Sequence, residues 1–408
     1  MKILVQKFGG SSLTTADCRA RAITHIERAL SEGYALVVVV SAMGRKGDPY
    51  ATDTLLQLIR ENGNSLPARE TDLLLHTGEI ISAAVMCSQL NERGIRATIL
   101  TGGQANIITT DDFSNAQILS IDPKRIKQEL EAGKVVIVPG FQGRTADWEI
   151  TTLGRGGSDT TATALGVALQ AEMVDIFTDV NGIMTADPRI VEEAQPLEAV
   201  TYTEICNMAH LGAKVIHPRA VEIAMQAHVP IRVRSTFSDD EGTLVTTLHE
   251  IGRISGPVRD RLIMGIAHVP NITQIKVFAK EGQYDTQLRV FKAMAQHHIS
   301  VDFINVNPLG VAYTVHDQMA DKAVGILREM GYEPQILPHC AKVSVVGAGM
   351  AGVPGVMAQI VEALTNEDIQ ILQSADSHTT IWVLLHEADM VKAIRALHRQ
   401  FQLHSGRK

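Results

Sequence analysis

A chain of 408 residues is longer than one ordinary hydrophobic core, so two or three domains are expected. Its 37 basic and 45 acidic residues give a net charge of −8, with no basic block to argue for a nucleic-acid partner. Hydrophobic residues make up 45% of the chain, and the longest apolar runs fall far short of a bilayer span, so no membrane partner is expected. Cys18, Cys87, Cys206 and Cys340 lie far apart, without CxxC pairing or metal-like spacing. They read as thiols in a reducing cytosol. The start of the chain moves straight into a strand pattern without the apolar core and cleavage site of a signal peptide. A cytoplasmic location is expected.

In chain order, residues 3–8 form a short apolar run ending in Lys7-Phe8-Gly9-Gly10-Ser11-Ser12, and helical spacing follows from about Thr15 to Leu30. This reads as strand, glycine turn, helix. Lys7 stands at the strand end, where the Gly9 and Gly10 amides offer a wrap for phosphate oxygens. The lysine precedes the glycines, so this is not a Walker loop; a surface lysine beside a βα turn is the plain alternative. Residues 35–40 are an uninterrupted aliphatic run, as in a parallel strand buried on both faces. The turn Ser41-Ala42-Met43-Gly44 and a polar loop over residues 45–51 come next, and Thr52 starts a helix as either a ligand hydroxyl or an N-cap. Residues 67–90 read as a long amphipathic helix interrupted at His76-Thr77-Gly78-Glu79, where Glu79 is either a functional or a solvated carboxylate.

Further short strands are expected at residues 97–100, 135–138, 174–177 and 231–233, with a helical pattern over 117–131. Alternation of strand and helix predicts an α/β domain with a mostly parallel sheet and helices on both faces. Ligands gather beyond the carboxyl ends of such strands. The turns after Phe8, Val40, Val138 and Phe177, the last with Thr178-Asp179, all fall on that edge. The stretch Thr151-Thr152-Leu153-Gly154-Arg155-Gly156-Gly157-Ser158-Asp159 combines a glycine turn, a guanidinium and a helix start, with Ser158 or Asp159 as the expected cap. Helix starts favour anions, and Arg155 adds a fork suited to a carboxylate or phosphate. The loop over residues 181–189 carries Asp187 and Arg189, and Lys214 precedes a helix; either segment also reads as a connector.

Composition changes after Val233: residues 235–242 and 252–257 read as linker. Beyond lies an internal repeat, in which residues 291–301 match 361–371 and residues 311–315 match 381–385. Two β-α-β-β-α units suggest two small split-βαβ modules. Neither carries a nucleophile, a metal set or an acid/base pair, which leaves binding or pairing as their role. Asn305 and Asp376, in turns expected after corresponding strands, offer an acceptor and a charge for an ammonium group at a seam between paired modules. Both also suit ordinary turns.

Taken together, Lys7-Phe8-Gly9-Gly10-Ser11-Ser12, Ser41-Ala42-Met43-Gly44, Thr77-Gly78-Glu79, Leu153-Gly154-Arg155-Gly156-Gly157-Ser158-Asp159 and Thr178-Asp179-Val180-Asn181-Gly182-Ile183 resemble aspartate kinase. The likeness spans nearly the whole chain, and the repeat is similar to that family's pair of ACT domains. The resemblance implies an amino-acid-kinase domain over residues 1–240, a linker over 241–262 and ferredoxin-like ACT modules over 263–336 and 337–408. It implies phosphoryl transfer from ATP, with Mg²⁺, to the side-chain carboxylate of L-aspartate. In bacteria this is the entry step to lysine, diaminopimelate, threonine and methionine.

By this resemblance Lys7 neutralises charge on the transferring phosphate beside Phe8, Gly9 and Gly10. Arg155 holds the aspartate α-carboxylate and Glu79 its α-ammonium. Thr52 orients substrate, Asp159 positions Lys7 or the ammonium, and Ser41, Gly156, Gly157 and Ser158 contribute nearby. Thr178, Asp179, Asp187, Arg189 and Lys214 form the nucleotide side. An amino-acid effector, meso-diaminopimelate or lysine, and a homo-oligomer through the ACT modules are implied as partners. The chain departs from the family in a longer loop over residues 45–51, in Met184 where many relatives carry tyrosine, and in a first repeat lacking the Pro-Gly turn that the second keeps at Pro354-Gly355. A kinase of glutamate or acetylglutamate, and an amino-acid-binding regulator with an inactive kinase domain, are the competing readings.

Overall fold

The computed structural model describes residues 1–61, 63, 65–213, 215–254, 262–279, 285–350 and 352–404. It divides into one unit comprising Met1–Met184, Pro196–His210 and Lys214–Arg259, and a second comprising Thr185–Gln195, Leu211–Ala213 and Asp260–Lys408.

The first unit is built on an eight-stranded sheet. Its order is Ala199–Thr201, Thr243–Thr246, Ile231–Ser235, Met173–Thr178, Ile3–Phe8, Ala35–Val40, Val135–Pro139 and Ala97–Ile99. All neighbours are parallel except Thr243–Thr246 against Ile231–Ser235. Ile3–Phe8 lies centrally, and its Val5 and Phe8 are fully buried together with Val37, Val38, Val39 and Val40 of the next strand. Burial on both faces is what the aliphatic run predicts. Ile23 and Ile26 of the helix Ala16–Ser31 and Met86 and Leu90 of the helix Thr77–Glu92 pack in the same core.

Register aligns the functional edge. Phe8 stands opposite Val40 on one side and Phe177 on the other, and Val40 opposite Pro139. The strand ends are stitched by Ser41 N–H donating to Phe8 O at 3.1 Å and Gly140 N–H to Val40 O at 2.9 Å.

Several local expectations are corrected. Residues 243–246, read as linker, are a strand of this sheet, because Val245 buries completely between Ile231 and Val200. The supposed helix over 117–131 is a strand, Ile118–Ile121, followed by a helix, Lys124–Glu131. That strand joins Ile107–Thr109, Gln142–Arg144 and Ile150–Thr152 in a separate four-stranded sheet. The break in the segment 67–90 is confined to His76, between helices Ala68–Leu75 and Thr77–Glu92. By length and mean hydropathy alone Ala68–Glu92 passes as a membrane span, but it buries the carboxylates of Asp72 and Glu79 within this unit.

The second unit holds a six-stranded antiparallel sheet, ordered Asp302–Asn307, Gly310–His316, Gly265–Phe278, Gln335–Val346, Thr380–His386 and Gln373–Asp376. The sequence left each repeat one strand short. The missing strands come from reciprocal sharing between the two long central strands. Ile272–Lys276 pairs with residues 335–340 to finish the first module, and Gly265–Val269 pairs with residues 342–346 to finish the second, with the register shifting at residues 269–274. The first module thereby reads βαββαβ in chain order and the second ββαββα, since its borrowed strand comes first, and each has four strands and two helices. The segments containing Asn305 and Asp376 are strands at the two ends of the sheet order and not turns, and the starts of these strands meet where Gln373 Nε2 donates to Phe303 O at 2.8 Å. Sharing the long strands puts those two strands at the middle and pushes the short ones outward.

Candidate active site

Lys7 is the penultimate residue of the central strand, and its ammonium meets Asp159 Oδ1 at 2.8 Å, with both side chains nearly buried. Asp159 sits in the first turn of the helix Gly157–Leu169. The expected cap is corrected here: the N-cap is Gly156 in a left-handed conformation with no side-chain bond, so Ser158 and Asp159 lie inside the helix. Ser158 is buried with them, and Asp159 Oδ2 also accepts the His217 backbone N–H at 3.3 Å.

The two glycines flanking Arg155 are required by geometry. Gly154 and Gly156 have φ of +74° and +71°. A Cβ on Gly156 would stand 2.2 Å from His217 Cγ, and one on Gly154 2.8 Å from Asn115 Oδ1. Between them Arg155 is turned outward and exposed.

The turn after the central strand departs from expectation in one respect. Gly9 N–H donates to Phe177 O at 3.3 Å and so is used by the fold, while Gly10 opens the short helix Gly10–Leu13. A Cβ on Gly10 would lie 2.6 Å from Gly44 O and 2.7 Å from Ala42 O, so glycine is needed for the turn 41–44 to close over it. Ser41 is half-buried in that turn.

Glu79 reaches the same turn from the helix Thr77–Glu92. It is 2% exposed, and Oε1 accepts the Ala42 N–H at 3.2 Å. Oε2 is buried with no hydrogen-bond partner among the described residues. Burial pushes the carboxyl up to about 8, against the pull of the Ala42 and Glu79 amides. Gly78 lets Ala42 Cβ and Tyr50 O approach to 3.0 Å of where its own Cβ would stand, which brings the loop before Thr52 alongside; Thr52 is the first residue of the helix Thr52–Glu61 and is half-buried.

On the flank formed by Met173–Thr178, Thr178 Oγ1 donates to Asp179 Oδ1 at 3.2 Å, and Asp179 is salt-bridged to Arg45. Arg45 was hidden in a loop read only as polar. Asp187 and Arg189 belong to the second unit, where they bind each other through Nε–Oδ1 at 3.0 Å and Nη2–Oδ2 at 2.7 Å. This pairing holds the Asp187 carboxyl below its usual range. Lys214 lies outside the described residues. Asn305 and Asp376 are exposed. The structure thus gathers Lys7, Gly10, Ser41, Glu79, Asp159, Thr178 and Asp179 on one sheet edge, with Arg155 on the adjoining loop.

Sequence reasoning missed Asp72, His217 and Arg219. Asp72 is fully buried and accepts four hydrogen bonds; Arg219 donates to Leu153 O at 3.0 Å and Ala116 O at 2.9 Å. Their partners are remote in sequence, so no local motif marks them.

The profile of the Amino acid kinase family matches residues 2–235, and that of the ACT domain residues 335–399. Aspartokinase 1 of Bacillus subtilis is 58% identical over 403 residues, covering 99% of this chain and all of its own. Aspartokinase of Geobacillus stearothermophilus is 39% identical over 99% of this chain. Among solved structures, E. coli aspartokinase III in complex with aspartate and ADP, in the R-state, superposes with a TM-score of 0.79 at 26% identity, over 98% of this chain and 99% of that one.

Proposed function

Because this chain belongs to the aspartokinase branch of the amino acid kinase family, we propose that it transfers the γ-phosphoryl group of ATP to the side-chain carboxylate of L-aspartate. The acceptor is already ionised at neutral pH, so no general base is required. Catalysis reduces to alignment and charge neutralisation. One observation carries the choice of an α-amino acid. The buried Glu79 Oε2 has no donor among the described residues, which is costly unless a ligand supplies one. A substrate α-ammonium is the natural counter-charge, and Arg155 on the neighbouring loop suits the α-carboxylate.

Lys7, held by Asp159, neutralises charge on the transferring phosphate. Gly10 and the turn at Ser41 line the phosphate path, with Gly156, Gly157 and Ser158 beneath it and Thr52 orienting the acceptor. Thr178 and Asp179 serve the nucleotide. At this edge the carboxylate of Asp159 is taken by Lys7 and that of Asp179 by Arg45, so Mg²⁺ brought in by the nucleotide would be held chiefly by phosphates and water. When bound it supplies charge neutralisation on the phosphates.

The first unit, its strand Thr243–Thr246 included, forms the catalytic part, and the two modules of the second unit bind an amino-acid effector, meso-diaminopimelate or lysine. A second copy of the chain pairs with the outer strand Asp302–Asn307, where Ile304 and Val306 are 48% and 55% exposed beside Leu309 at 74%. Free Cys18, Cys87, Cys206 and Cys340 and the use of ATP fit the bacterial cytoplasm.

The deciding experiment is steady-state kinetics of Arg155→Ala. The aspartate KM is expected to rise far more than the ATP KM, by the about 2–5 kcal/mol typical of a lost charge-assisted contact. Equal effects on both substrates, or faster turnover with glutamate than with aspartate, overturn the reading.

A further inference from the structure

The carboxylate of Asp72 belongs to no motif, yet it is wholly buried in the first unit and accepts four hydrogen bonds. Oδ2 takes the backbone N–H groups of Thr152 at 2.7 Å and Ser114 at 2.9 Å; Oδ1 takes the hydroxyls of Thr152 at 2.7 Å and Ser114 at 3.1 Å. Bonds to an acidic oxygen are strong and directional. Here they converge from two separate chain segments.

The first segment is the base of the arginine loop. Thr152 ends the strand Ile150–Thr152, and Arg155 lies just beyond it. Leu153 is fixed on both sides, its N–H to Phe141 O at 2.9 Å and its carbonyl to Arg219 Nη1 at 3.0 Å. The second segment runs directly under the loop, since Ser114 O and Asn115 Oδ1 are what a Cβ on Gly154 would strike, at 3.1 and 2.8 Å. Asp72 itself sits on the helix Ala68–Leu75, separated only by His76 from the helix whose first turn carries Glu79. His76 is held in turn, its carbonyl accepting from Gln142 Nε2 at 3.1 Å.

We infer that Asp72 is the positioning residue that fixes the distance between Glu79 and Arg155, and so the spacing of the ammonium and carboxylate subsites that grip the amino-acid substrate. This rests on the assignment of Glu79 and Arg155 given above. Asp72 touches no substrate. It ties the element that bears one gripping group to the loop that bears the other, whereas Lys7 stands on the central strand Ile3–Phe8.

The test compares Asp72→Ala, Asp72→Asn and Thr152→Val in the full-length protein. Alanine removes all four bonds, and the aspartate KM is expected to rise at least tenfold while the ATP KM stays within about twofold. Asparagine keeps an oxygen for the two amides and offers its NH₂ to hydroxyls that can rotate to accept. It should restore most of the aspartate affinity. Thr152→Val deletes one hydroxyl at nearly constant volume, and a smaller selective rise is expected, reversed in Thr152→Ser. Should the alanine variant not fold, the threonine pair carries the test alone. If these variants lower the melting temperature while both KM values move together or not at all, Asp72 is only structural and the inference fails. If Arg155→Ala also leaves the aspartate KM unchanged, the substrate assignment itself has failed.

Discussion

At the scale of single residues, Lys7 and Glu79 bear on different kinetic constants. Lys7→Ala is expected to lower kcat by about 10²-fold or more with aspartate binding mostly kept, because its charge matters most as phosphate charge shifts. Single-turnover measurements at saturating aspartate check this, and a near-normal rate removes Lys7 from the machinery. Glu79 is held neutral up to about 8 by burial. The unfolded chain ionises it near 4.5, so between those values the folded state keeps a proton that the unfolded state has lost. Its contribution to stability therefore declines as pH rises from 4.5 to 8 and is level above, the reverse of an ion-paired carboxylate. An arriving ammonium favours the ionised form and expels that proton. The aspartate KM should fall with rising pH, by up to about tenfold per unit, and flatten near 8. In Glu79→Gln the KM should be high and nearly independent of pH; an unchanged slope in that variant rules out Glu79 as the source.

At the scale of elements, the glycine loop shows what sequence can and cannot reveal. Gly154, Arg155 and Gly156 were legible because left-handed turns and a helix start leave a local signature. The ring of His217 that makes Gly156 obligatory was not, since it comes from a segment remote in the chain. For Gly156→Ala the left-handed backbone alone costs about 1–2 kcal/mol, and displacement of His217 adds to it. Urea unfolding should show a lower midpoint, with the aspartate KM raised alongside; a variant matching the parent in both would mean the loop relaxes freely. The long aliphatic strands announced themselves in the same way, whereas Ile107–Thr109, Gln142–Arg144 and Ile150–Thr152 are three residues each. Three residues hold too little alternation to register as a period. Thr243–Thr246 was obscured by the polar stretch before it, and Asp72 by a helix whose pattern is satisfied without it.

At the scale of the whole molecule, the repeat was visible but its closure was not, because strand sharing is decided by pairing between residues far apart in sequence. Two modules that each own five elements and borrow the sixth are not separable pieces. A chain ending at residue 336 is expected to leave Gly265–Val269 without its partner at residues 342–346 and to expose the apolar side chains of Ile266 and Ala267, which are buried in the intact protein. Dye binding and light scattering should report aggregation of that truncation, and a monodisperse, cooperatively melting product would contradict it. The same crossing of strands sets a schedule for synthesis on the ribosome. Gly265–Val269 is made early and has to remain unpaired until residues 342–346 emerge, on the order of ten seconds at ordinary elongation rates. During that interval the nascent chain carries an open strand edge, and the last module to be translated is the one that closes it.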